Sequence, residues 1–104
     1  MKVKTLTIKQ GDSDTLTDPI TGLTSLSGYS CKMYIVTIAG VEVDTITGSI
    51  SGLICTYEIV NDNSKSYPVE EHYYECKLFD SLDHVYTPSG GIFVVEKAEE
   101  NDPT

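Results

Sequence analysis

Apolar residues recur at every second position in one segment of this chain after another, and a period of two belongs to strands rather than helices. In YSCKMYIVTI, residues 29–38, Cys31, Met33 and Ile35 fall on one face and Tyr34, Val36 and Ile38 on the other. That segment is expected to be the strongest strand, covered on both faces. In LICTYEIV, residues 53–60, Leu53, Cys55, Tyr57 and Ile59 share a face. Composition agrees, since twelve Thr, nine Val, nine Ile and seven Tyr stand against two Ala. β-Branched and aromatic side chains suit a pleated, half-buried surface, and a chain this poor in Ala makes poor helices.

The other segments read the same way. KVKTLTIK, residues 2–9, is a first strand with Leu6 and Ile8 on one face. In VEVDTIT, residues 41–47, Val41 and Val43 alternate with Glu42 and Asp44 as in a half-exposed strand. EHYYECKLFD, residues 71–80, follows Pro68 and Glu70, a pattern that can open a helix. Yet Tyr74, Cys76 and Leu78 alternate with Glu75 and Lys77, which predicts a strand. HVYTP and IFVVEK, residues 84–88 and 92–97, complete the set. GDSDTLTDP, residues 11–19, reads as a turn and crossing, because Gly-Asp and Asp-Pro are turn-makers. NDNSKSYP, residues 61–68, reads as a turn cluster with room for one helical turn. The pattern predicts an all-β, antiparallel sandwich of about seven strands, with a small closed barrel as the alternative. Residues 1–97 make one domain, long enough to close a core unaided, and the acidic residues 98–104 a flexible tail.

Charge removes several function classes. Sixteen Asp and Glu stand against seven Lys and no Arg, a formal charge of −9. A phosphate-gripping face needs basic residues, so nucleic acid is not an expected partner, and an anionic membrane surface would repel the chain. No apolar run approaches the ~18 residues of a membrane span, and MKVKTLTIKQ has no signal-peptide core. The product is therefore expected in the cytosol or in a larger particle that leaves it. The charge is also uneven. Lys2, Lys4 and Lys9 lie near one end, and Glu96, Glu99, Glu100 and Asp102 near the other.

Few constellations carry chemistry. An EF-hand loop from Asp12 would accept Asp14 at its third position, but its sixth and twelfth positions hold Thr17 and Leu23. A looser calcium site from Asp12, Asp14 and Asp18 stays open as the lesser reading. Cys31, Cys55 and Cys76 form no C-x-x-C pair and all fall on inward faces, so they read as buried thiols rather than zinc ligands. His72 and Cys76, four apart on a strand, stand ~13 Å from each other and share no metal. His84 sits in a turn, and neither His has a nucleophile arranged beside it. No phosphate-cradling GxxxxGK occurs. No enzyme, cofactor or small-molecule substrate is expected. Tyr67, Tyr73 and Tyr86 are expected to face outward, and exposed Tyr suits an interaction surface.

The order of signals resembles one family. Gln10-Gly11-Asp12 ends the first strand; Leu16-Thr17 and Gly22-Leu23-Thr24 follow, then the long strand and a hairpin. Tyr73-Tyr74-Glu75-Cys76-Lys77-Leu78, Val85-Tyr86-Thr87-Pro88, Gly91 and Phe93-Val94-Val95 close the series. From about residue 3 to 97 this resembles the immunoglobulin-like domain found at the N-terminus of phage baseplate upper proteins and in small stand-alone phage virion proteins. The family's Leu-Thr-Gly stands here as Leu26-Ser27-Gly28, and its Gly-x-Tyr as Glu71-His72-Tyr73. The resemblance implies an immunoglobulin-like sandwich and a non-enzymatic part of a virion: a tail, baseplate, neck or capsid-associated protein. Its partners would be other virion proteins, in a symmetric assembly of many copies. The alternative is a carbohydrate- or cell-surface-binding module, calcium-dependent if the aspartates gather.

Overall fold

Residues 2–97 are described by the computed structural model of the protein, and the tail expected at 98–104 lies outside the described residues. The described chain forms β1 (Lys2–Val3), β2 (Leu6–Lys9), β3 (Asp14–Pro19), β4 (Ser30–Thr37), β5 (Glu42–Thr47), β6 (Ser49–Ser51), β7 (Ile54–Ile59), a helical turn α1 (Asn61–Ser64), β8 (Glu71–Phe79) and β9 (Val85–Glu96). Two sheets result. One runs β1-β9-β8-β4-β5 with β2 also on β9; the other runs β3-β7-β6. The order β9-β8-β4-β5 against β3-β7-β6 is that of an immunoglobulin-type sandwich, with the first strand carried on β9. All-β sandwich is thus the observed class. The strands pair antiparallel except β1 and β2, which run parallel to β9.

Period-two reading holds along β4, β7 and β8. Cys31, Met33 and Ile35 on β4, Cys55, Tyr57 and Ile59 on β7, and Tyr74, Cys76 and Leu78 on β8 all face the core. Phe93 packs edge-on against Tyr67 and Tyr74, at 6.3 and 6.4 Å between ring centroids, a favoured geometry for aromatic pairs. The three cysteines are free and buried. Gly48 permits the packing there, because a Cβ would lie 2.6 Å from the Cys31 Sγ and 2.7 Å from the Tyr57 ring.

Several expectations need correction. Residues 14–19 are not a turn but β3, paired in full with β7; ladder bonds to a partner strand outweigh the local turn preference of Asp-Pro. The expected first strand is broken into β1 and β2. HVYTP and IFVVEK are joined in one long β9, with a register shift opposite Cys76 and Leu78. The phase of β5 changes along its length. A bulge between Ile35 and Val36 of β4 and their β5 partners leaves Val43 unpaired; Val43 packs against the core, Asp44 and Ile46 turn inward after it, and Val41 is exposed. The outer face of β4 is not covered, since Tyr34 and Val36 are half-buried and Ile38 is exposed.

Candidate interaction surface

The outer face of the larger sheet is built by register. Val36 on β4 pairs with Tyr73 on β8, and Tyr73 with Ile92 on β9. These three form an apolar row across the sheet. Tyr34, opposite Glu75, stands in the next row, and Val94, opposite Glu71, in the row on the other side. Tyr73 is 45 % exposed. Beyond Glu75 the face turns basic, where Lys32 pairs with Lys77. Lys77 reaches Glu75 at 3.6 Å and donates to the Thr87 hydroxyl at 2.9 Å.

Tyr86, 48 % exposed, belongs to a different surface. It stands six residues from Ile92 along β9, ~20 Å away, at the end of the sandwich where β8 stops. With Ile20, Leu23, Leu78 and Pro88 it lines a cleft of about 440 Å³. Its hydroxyl lies 3.4 Å from the Asp80 carboxylate, which also accepts from the Leu82 and His84 amides and the His84 ring. Those bonds hold the Asp80 carboxyl below its ordinary range although burial opposes them. The tyrosine's own ionisation is pushed up by burial and by that carboxylate.

Tyr67 does not face outward. It is 2 % exposed and plugs the other end of the sandwich, donating its hydroxyl to the Asp44 carboxylate. Asp44 therefore faces inward without a cost that burial alone would impose. Around this pair Gln10 donates to the Tyr67 carbonyl at 2.8 Å, and Ser64 of α1 to the Asp12 carbonyl at 2.6 Å. His72, wholly buried, bonds the Pro68 carbonyl through Nε2 at 2.9 Å, while Nδ1 has no partner among the described residues.

The three aspartates of the opening segment do not converge. Asp14 and Asp18 face β7 at Ile59 and Cys55, four residues and ~13 Å apart. Asp14 bonds the Thr15 amide at 2.8 Å. Asp18, 3 % exposed, is held by Lys2 Nζ at 2.9 Å and the Ser89 hydroxyl at 2.9 Å. Sequence reasoning missed this buried pair; the only signal was a lysine at a strand start, common in any chain. Among the described residues no three His, Cys, Asp or Glu side chains gather as a metal site.

Nor are the thiols poised as nucleophiles. Burial above all pushes Cys55 up from 9.0 to about 12, with a hydrogen bond from Cys31 adding to it, and Cys76 to about 11 against the opposing effect of the Ser89 hydroxyl, the reverse of activation. The Tyr57 hydroxyl among them is pushed up by burial and has no hydrogen-bond partner among the described residues. Among the described residues no helix is long and apolar enough to cross a membrane.

No family model matches the chain, and no curated protein does. Solved structures do. A glycoside hydrolase candidate from Bacteroides vulgatus is similar at 13 % identity and a TM-score of 0.58 over 93 % of this chain, which spans 17 % of that protein. The fibronectin(III)-like modules of Clostridium thermocellum CbhA are similar at 11 % identity and 0.57, over 95 % of this chain and 94 % of theirs. At such identities the likeness is one of fold.

Proposed function

We propose that this chain is a non-enzymatic structural part of a phage particle, associated with its tail, baseplate, neck or capsid, and that it holds neighbouring virion proteins together. The observation that carries the reading is the outer face of the larger sheet, where Tyr73, Val36 and Ile92 form an apolar row open to solvent. Core apolar area with a polar rim is the anatomy of a protein contact. The order of sequence signals shared with phage immunoglobulin-like domains supplies the setting, and the virion its location. Mass spectrometry of purified virions, with copy number, tests it. A number matching a symmetric ring, tube or shell is expected; absence from virions, with the protein free in infected cells, overturns it.

The cleft at Tyr86 favours a second reading, a carbohydrate- or cell-surface-binding module. An aromatic ring with Thr21 and Thr87 beside it suits a sugar's apolar face and hydroxyls, and one neighbour named above is a glycoside hydrolase candidate. With Asp18 engaged by Lys2 and Ser89, this module would bind without calcium. A glycan array with the Tyr86→Ala variant decides it: a sugar bound by the native chain and lost in the variant is the positive result.

A further inference from the structure

We infer that the outer face of the larger sheet is covered by a second copy of this chain, stacked face to face about a twofold axis with its strands antiparallel to the first. The inference deepens the assembly reading by naming the occupant of that face.

Charge distribution carries it. The whole chain holds −9, yet on this face Glu42, Glu71, Glu75 and Glu96 are nearly balanced by Lys9, Lys32 and Lys77. A basic partner would call for an acidic face; this one is close to neutral with its charges separated along the strands. Outward positions of β8 run Glu71, Tyr73, Glu75, Lys77. A copy stacked with parallel strands about an axis along β8 would set Glu71, Glu75 and Lys77 each over its own equivalent. An antiparallel copy, with the axis passing between Tyr73 and Glu75, sets Glu71 over Lys77 of the second copy and Lys77 over its Glu71. It also lays Val36 over Tyr34 of the second copy, Tyr73 over its Glu75 and Ile92 over its Gly90. Such a contact is isologous and closes on itself.

The size is adequate. Five strands ~4.8 Å apart and about eight residues long give a face of ~650 Å², near the ~800 Å² that each partner contributes to a standard interface.

Sedimentation equilibrium of the isolated chain is the test, with charge reversals as its probes. The native chain is expected to show a monomer–dimer equilibrium with Kd of ~10–100 µM. Glu71→Lys and Lys77→Glu should each weaken it about tenfold or more, and the chain carrying both reversals should recover it. Recovery in one chain is specific to the antiparallel stack, since a parallel stack would still oppose like charges. Circular dichroism and melting of each variant separate lost association from lost folding. A native chain monomeric at ~1 mM overturns the inference, and a doubly reversed chain that folds but stays weak overturns the register. Virion copy number plays no part in these readouts, so the dimer and the particle assignment fail separately.

Discussion

The two ends of this sandwich solve the same problem in opposite ways. Both must finish a core that runs between two sheets. At the end where β8 begins, most polar groups that turn inward find partners: the Tyr67 hydroxyl meets Asp44, the exposed Asn63 reaches the same carboxylate at 3.4 Å, and Ser64 and Gln10 bond backbone carbonyls, while His72 Nδ1 has no partner among the described residues. At the end where β8 stops, the core is left open, and Leu23, Tyr86 and Pro88 line a cleft instead of a plug. The closed end spends its polar groups on structure, whereas the open end keeps apolar surface within reach of another molecule. A residue's type does not decide its role here. Tyr67 and Tyr86 are the same side chain with opposite assignments.

That contrast can be broken most forcefully at Tyr67. Tyr67→Ala should cost ~3–5 kcal/mol, measured by chemical denaturation, because it empties a wholly enclosed site. A loss below ~1 kcal/mol would show that the plug is not closed. The core between the ends should respond to alkali. Cys76, Cys55 and Tyr74 have folded values raised to about 11, about 12 and about 12 from 9.0, 9.0 and 10.0, each chiefly by burial. The unfolded chain therefore releases these protons first. Their contribution to stability is complete below about pH 9 and is lost as pH rises toward 12, by on the order of a few kcal/mol. A melting temperature that is flat from pH 8 to about 11 would contradict their burial.

Smaller changes sharpen the comparison. Tyr67→Phe keeps the ring and removes the donor to Asp44, for an expected cost of ~1–3 kcal/mol. Ser64→Ala should cost ~1–2 kcal/mol by leaving the Asp12 carbonyl short of a partner. At the open end, Leu23→Ala and Tyr86→Ala should stay within about 1 kcal/mol of the native chain. Losses there that matched those at Tyr67 would mean that the cleft is core.

How much of this was legible in the sequence depends on how far each residue's fate is decided locally. Alternation in β4, β7 and β8 reports a face directly, and the placement of Met33, Tyr57 and Leu78 followed from it. Tyr67 could not be read that way, because its burial depends on an acceptor 23 positions earlier in the chain. Asp44 was misread for the linked reason that a bulge reverses the phase of β5. β3 was hidden because DTLTDP carries turn chemistry and finds its partner only in β7. Of the proposed interaction residues, Tyr73 and Tyr86 are exposed as expected, but on separate surfaces; only a fold shows that they do not combine.

The placement of the first and last strands has a mechanical consequence. β1 and β2 run parallel to β9 and pair with it at Ser89, Gly90 and Phe93 to Glu96. Lys2 is pinned to Asp18 on the other sheet, the Tyr74 hydroxyl holds the Lys4 carbonyl at 2.9 Å, and that carbonyl approaches Gly91 so closely that a Cβ there would lie 2.3 Å away. A pull transmitted along the chain, entering before Lys2 and leaving after Glu96, would load this ladder in shear. The hydrogen bonds would have to fail together and not one after another, so resistance to force is set by the unfolding barrier. Single-molecule extension should show one abrupt rupture that weakens in Lys2→Ala; gradual peeling at low force would show that the clamp does not bear load.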